Sequence, residues 1–157
     1  MLSALPLSTS LCRLARAQTR GDGHEPLTRI DDLRVLALQV RQQQRPLLLF
    51  FSLPGCPFCL EVRRSHLAPL ALDAGRGPLI REIDITSRRT FVGLDGRNTT
   101  ESEFAGAQKV RIVPHVALAD ADLKPLAEPM IGIGAADFYG AYLSDAIENA
   151  TRRLRGR

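Results

Sequence analysis

The sequence predicts a three-layer α/β domain, and three observations predict it. The run Leu47-Leu48-Leu49-Phe50-Phe51 is apolar without interruption and of strand length, as in a central strand covered on both faces. Cys56-Pro57-Phe58-Cys59 follows at the point where that strand gives way to a helix. Along the chain, the segments run helix, strand, helix, strand, helix, strand, strand, helix, an order satisfied by burying helices against a sheet.

Residues 18–26 are polar and glycine-rich and read as a linker, with His24 in solvent. From Ile30 to Val40, Ile30, Leu33, Val35, Leu36, Leu38 and Val40 recur at helical spacing, with Asp31 and Asp32 near the start. An amphipathic helix is expected there, ending before Pro46. Leu47 to Phe51 is the first strand. Pro57 opens the next helix, because the first turn needs no intrahelical N–H. Val62, His66, Leu67 and Leu70 continue it until Gly75-Arg76-Gly77-Pro78 turns the chain. Leu79 to Ile85 reads as a second buried strand, and Thr86 to Asn98 as a polar loop with Gly93 and Gly96. That loop carries Arg88, Arg89, Phe91, Val92, Asp95 and Arg97, and either shapes partner choice or is an inert insertion. Thr100 and Glu103 have capping-box spacing and introduce a short helix ending near Lys109. Val113 to Ala119 is a third strand, Asp120-Ala121-Asp122 a turn, Pro125 to Met130 an edge strand and Ala136 to Leu154 the closing helix.

With 157 residues and 45% apolar content the chain can bury one core. That core is assigned to a domain over residues 27–157, preceded by an N-terminal segment over 1–26. The net charge of +4 sits largely at the ends, in Arg13, Arg16, Arg20 and the Arg152-Arg153-Leu154-Arg155-Gly156-Arg157 tail. No basic stripe with interleaved aromatics exists and Trp is absent, so solvated termini are expected rather than a nucleic-acid surface. No stretch approaches the roughly 20 apolar residues that cross a bilayer, which argues against stable membrane insertion. Met1 to Leu11 is moderately apolar, and Ala15-Arg16-Ala17 has the shape of a signal cleavage site. No basic residue precedes the apolar part, and Pro6, Ser8 and Ser10 dilute it. Cleavage of a candidate signal peptide over 1–17 removes Cys12 and leaves Cys56 and Cys59 as the only cysteines. Export to the periplasm is therefore placed ahead of a cytoplasmic setting. Cys12 lies in no lipid-attachment motif, since Leu11 stands where a small residue is wanted.

Two cysteines separated by two residues at a strand-to-helix junction form the minimal geometry for reversible dithiol–disulfide chemistry. One helical turn brings the sulfurs within bonding reach, and the helix N-terminus favours a thiolate on the first. The other readings of the pair are weaker. A structural zinc needs two more ligands; no second Cys pair exists, and His66 and His115 are poor substitutes, so no metal or other cofactor is expected. His66 is expected to face solvent or pack loosely, and His115 to lie at the rim of the site. A permanent structural bridge across four residues constrains little.

The Cys-x-x-Cys after a central strand, together with Val113-Pro114 at the start of a later strand, resembles the thioredoxin superfamily. The resemblance covers roughly residues 28–154 and implies a central mixed sheet flanked by helices and a thiol–disulfide oxidoreductase activity. It implies that Pro114 is a cis proline, with Val113 the residue that touches substrate. Cys56, at the exposed helix start, is then the nucleophile and Cys59, one turn inside, the resolving thiol of a redox-active Cys56–Cys59 disulfide. Pro57 and Phe58 tune the potential, and the uncharged Phe58 argues for a moderate one. The implied partners are protein disulfides and an upstream thiol reductant, with the chain acting as a monomer. The sequence departs from thioredoxin itself in two places. Phe50 stands where thioredoxins carry a buried Asp, and Gly55 where they carry Trp. Proton transfer at Cys59 is therefore expected to use water or another group; Glu61 is a candidate, although its place in the first helical turns reads first as surface charge. Two rivals stay open. Pro57-Phe58 is close to the Pro-Tyr pair of glutaredoxins, which would make glutathione the reductant, although Val113 replaces their Thr and no Gly-Gly pair follows. A redox-sensing or peptide-binding module without turnover would look almost the same.

Overall fold

The computed structural model describes residues 27–73, 75–134 and 136–156. The candidate signal peptide, Cys12 and the linker with His24 lie outside the described residues.

Strand β1 (Leu47–Ser52) is the axis of the sheet and is buried along its whole length. It pairs in parallel with β2 (Leu79–Asp84) and antiparallel with β5 (His115–Ala119), which pairs antiparallel with β6 (Met130–Ile131). The sheet is thus mixed, in the order β2-β1-β5-β6. Arg29 adds a parallel bridge to Glu82 outside β2. Helix α1 (Leu33–Gln43) begins three residues after Ile30, because Asp32 caps it by accepting from the Arg34 N–H at 2.8 Å. Ile30 stays outside the helix and fully buried.

Helix α2 (Pro57–Val62) runs through a π-helical turn, Arg63–Leu67, into α3 (Ala68–Leu72). The widened turn has a cause in the sequence. Pro69 has no N–H for the Ser65 carbonyl and its ring crowds that oxygen, so the chain opens to a bond from the Ala68 N–H to the Arg63 carbonyl.

Three expectations are corrected. The loop from Thr86 to Asn98 contains β3 (Thr90–Val92) and the start of β4 (Asn98–Thr100), paired antiparallel as a separate ribbon. Phe91 drives it, burying its ring edge-on to Phe104 at 5.4 Å, while the Val92 N–H donates to the Asp31 carbonyl at 3.0 Å. The edge strand expected over Pro125 to Met130 is reduced to a bridge at Pro125 and the short β6, because Pro125 and Pro129 have no N–H to donate. For the same reason β5 opens at His115, after Pro114, whose carbonyl still accepts from the Gly132 N–H at 2.8 Å.

Helix α4 (Glu101–Ala107) starts with the Thr100–Glu103 capping box, and α5 (Tyr139–Arg155) closes the chain after a 3-10 turn over Ala136–Phe138. Glu101, fully buried at the start of α4, takes Arg29 through Nε at 2.9 Å and through Nη2, and Arg89 through Nη1. Arg89 also donates to the Ile30 carbonyl and pairs with Asp31. These contacts tie the segment before α1, the β3–β4 ribbon and α4 to one carboxylate. Glu101→Ala is expected to lower unfolding free energy by about 2–3 kcal/mol in denaturant titration. The figure is below that for a fully buried pair because Arg29 and Arg89 keep 35% and 38% of their side chains exposed. A shift no larger than that of a surface substitution contradicts the assignment.

On the far face of β1, the half-buried His115 ring packs edge-on to Phe51 at 5.5 Å. Burial holds its pKa below the ordinary imidazole value. The unfolded chain therefore takes up a proton first as pH falls, and stability is lost from the ordinary imidazole range downward. The denaturation midpoint of the parent should fall between about pH 7.5 and about pH 5.5 more than that of His115→Gln. Equal slopes in the two proteins would contradict this.

Candidate active site

At the C-terminal end of β1 the chain must leave the sheet and enter α2 within four residues. It does so through Leu53-Pro54-Gly55, closed by the Cys56 N–H on the Leu53 carbonyl at 3.4 Å. Gly55 has φ +76, a conformation open to glycine and costly to any residue with a side chain. Cys56 is the N-cap of α2, and its sulfur accepts from the Cys59 N–H at 3.1 Å. Cys56 and Cys59 are joined as a disulfide with Cα atoms 5.3 Å apart. The sulfurs differ in setting: Cys56 is half-buried, while Cys59 is 1% exposed in the core. Pro57 is exposed, and Phe58 projects into solvent with 59% of its surface free.

Phe51 pairs with His115, so the residues just before His115 lie at the same sheet end as the cysteine turn. Val113 is half-buried, Pro114 is buried, and the peptide bond between them is cis. The topology therefore brings all six predicted site residues, Cys56, Pro57, Phe58, Cys59, Val113 and Pro114, to one end of neighbouring elements.

Glu61 is the surface charge that its place in the first helical turns suggests, while His66 packs more closely than expected. Glu61 is exposed and accepts from the Ser65 hydroxyl at 2.7 Å, one turn along the helix surface. His66 is half-buried and stacks on Tyr139 with ring centroids 4.8 Å apart. Burial pushes the Tyr139 phenol up to about 12, and its hydroxyl has no hydrogen-bond partner among the described residues.

The structure adds a group that the sequence reading passed over. A cavity of about 500 Å³ opens beside Cys56 on the β2 side of β1, lined among others by Arg29, Ser52, Arg63, Glu82 and Asp84. Glu82 is 5% exposed in the middle of β2. Its carboxylate accepts from the Ser52 hydroxyl at 2.6 Å, from Arg63 Nε at 3.2 Å and from Arg63 Nη2. The Arg63 guanidinium also lies 5.7 Å from the Phe50 ring centroid. Phe50 and Glu82 are register partners, so a buried carboxylate occupies the level of the sheet where Phe50 lacks one, one strand over. Glu101 in turn raises the pKa of Arg29, first through its hydrogen bonds and then through its charge. A signal existed in the sequence. A glutamate inside a strand otherwise read as buried needs a partner, and Arg63 stands one turn after Cys59. Among the described residues, no three His, Cys, Asp or Glu side chains form a group that could hold a metal ion, and no helix is long and apolar enough to cross a membrane.

No family model matches the chain, and no curated protein matches it by sequence. Solved structures do. A DsbH oxidoreductase is 23% identical, with 83% of this chain and 91% of that one covered at a TM-score of 0.54. The thioredoxin of Fasciola hepatica is 14% identical over 79% of this chain and 99% of its own, with a TM-score of 0.53. Mitochondrial thioredoxin 3 of Saccharomyces cerevisiae, in its oxidised form, is 17% identical over 78% and 94%, with a TM-score of 0.51. Likeness at these identities shows the fold: the chain has the thioredoxin fold.

Proposed function

We propose that the chain is a thiol–disulfide oxidoreductase that exchanges or reduces protein disulfides through Cys56 and Cys59. The observation that carries this reading is the contrast between the two bonded sulfurs. Cys56 is accessible at a helix start with an N–H donated to its sulfur, whereas Cys59 is sealed in the core. Once the bridge is open, that donor and the first-turn amides favour a thiolate on Cys56, the form that attacks disulfides. Its attack on a substrate disulfide gives a mixed disulfide and releases one substrate thiol. Cys59, one turn away and out of reach of external sulfur, then attacks the Cys56 sulfur, releasing the second substrate thiol and closing Cys56–Cys59. A thiol reductant reopens the bridge. Val113 and Pro114, at the same end of the sheet, are assigned to the backbone that a substrate chain lies against, and Phe58 to an apolar contact beside it.

This assignment of roles is tested by the two serine variants. Cys56→Ser should reduce insulin disulfides with dithiothreitol no faster than dithiothreitol alone. Cys59→Ser should accumulate mixed disulfides through Cys56, visible as thiol-reversible adducts on non-reducing gels. Full activity in Cys56→Ser contradicts the proposal, and adducts that form equally well in a Cys56→Ser/Cys59→Ser chain contradict the roles. A protein that binds peptides without any turnover would reveal the module without catalysis.

A further inference from the structure

The cavity beside Cys56 lies on the β2 side of β1, whereas Val113 and Pro114 approach from the β5 side. A protein substrate laid along Val113 leaves this cavity unused. Its size, about 500 Å³, falls in the range of small-molecule sites. Its walls carry an unusual ledger of spent and unspent polar atoms. Arg63 uses Nε and Nη2 on Glu82, and Arg29 uses Nε and Nη2 on Glu101. Each guanidinium is thereby held by a buried carboxylate through Nε and Nη2, and its hydrogen bonds to the described residues leave Nη1 out. Glu82 is already engaged at both oxygens, by Ser52 and Arg63. Asp84 accepts from the Thr86 N–H at 2.9 Å and hydroxyl at 2.7 Å on Oδ1 alone, leaving Oδ2 open. Two carboxylate-anchored guanidiniums and one carboxylate with an open oxygen thus line a space that Cys56 also lines.

A single cation or anion matches only half of that set. An α-amino acid carries a carboxylate and an ammonium on one carbon and matches both. We propose that this cavity is a subsite for the α-amino-acid headgroup of a low-molecular-weight disulfide, its carboxylate held by Arg29 and Arg63 and its ammonium by Asp84, with its sulfur presented to Cys56. Cystine and the γ-glutamyl end of glutathione disulfide share this chemistry. The inference rests on the oxidoreductase reading above and names a substrate class for the same sulfur. In the reaction the Cys56 thiolate attacks one sulfur of the small disulfide. The S–S bond breaks, a Cys56 mixed disulfide forms, and one small thiolate leaves and takes a proton from water. Cys59, as its thiolate, then attacks Cys56 and releases the second small thiol. Two electrons pass from the dithiol to the small disulfide, and a thiol reductant restores the dithiol.

The test compares turnover with binding. The full chain is assayed with cystine, glutathione disulfide and bis(2-hydroxyethyl) disulfide, which lacks the headgroup. In parallel, the oxidised chain is titrated with S-methylcysteine, which has the headgroup but no reactive sulfur. We expect kcat/KM for cystine or glutathione disulfide to exceed that for the hydroxyethyl compound by about tenfold or more, as one or two charge-assisted hydrogen bonds require. Whichever of the two is favoured identifies the source of the headgroup. Asp84→Asn should cut that ratio by about tenfold. S-methylcysteine should bind saturably, with amide shifts at Ser52, Leu53, Gly55, Cys56 and residues 82–84, where propionate and propylamine produce none. Equal kcat/KM for all three disulfides overturns the proposal, as does failure of S-methylcysteine to bind. A charge preference seen only with peptide disulfides also overturns it, because the cavity then serves a polypeptide side chain. If no disulfide at all is reduced, the oxidoreductase reading fails, while the S-methylcysteine titration still decides the subsite.

Discussion

Strand β1 carries six consecutive residues that are each no more than 2% exposed, and the position of the reactive turn depends on them. Leu48, Phe50 and Ser52 face the helix that begins with the cysteines, while Leu47, Leu49 and Phe51 face the opposite layer, where Phe51 stacks on Phe104 at 6.2 Å. Fully burying such leucine and phenylalanine side chains is worth about 1.5–3 kcal/mol each, so the strand cannot slip without losing most of the core. A one-residue shift in register would also send Ser52 and Phe51 to the wrong faces. The cysteine turn starts within four residues of this fixed point. Its place beside the start of β5 follows from the pairing of Phe51 with His115.

Burial of β1 also explains why the charges near the site are arranged in closed sets. A carboxylate in the middle of β2 cannot stay ionised in an apolar layer without donors. Glu82 meets that demand with a hydroxyl from the neighbouring strand and a guanidinium from the reactive helix. The contact therefore joins β1, β2 and the segment downstream of Cys59 at one carboxylate. Glu101 plays the corresponding part at the outer edge, holding Arg29 and Arg89. Both arginines on the cavity wall are anchored by buried carboxylates, Arg63 by Glu82 and Arg29 by Glu101, which restricts their orientation. A flexible surface arginine could not be so held without an entropy cost.

Local features were the legible part of this chain. The apolar run of β1, the proline at the first turn of α2 and the Thr100–Glu103 capping box each depend on residues within a few positions of one another. So does the Cys-x-x-Cys pair, whose spacing already carried the chemistry. The β3–β4 ribbon was hidden because its strands are three residues long and only Phe91 within them is a large buried apolar residue. The edge strand was overread because Pro125 and Pro129 remove ladder donors. The charged wall of the cavity was not legible as a unit: Ser52 and Glu82 are 30 residues apart, and Arg29 and Glu101 are 72 apart. Only the fold brings them together, although a lone glutamate in a buried strand was a readable warning that some partner existed.

The central claim is that Cys56–Cys59 is a working redox couple and not a permanent brace, and its equilibrium reduction potential tests this most directly. Redox titration of the purified chain against thiol–disulfide buffers should give one reversible two-electron transition between about −120 and about −270 mV, the span of known oxidoreductases. A bridge that stays closed below about −300 mV, as structural disulfides do, would contradict the account.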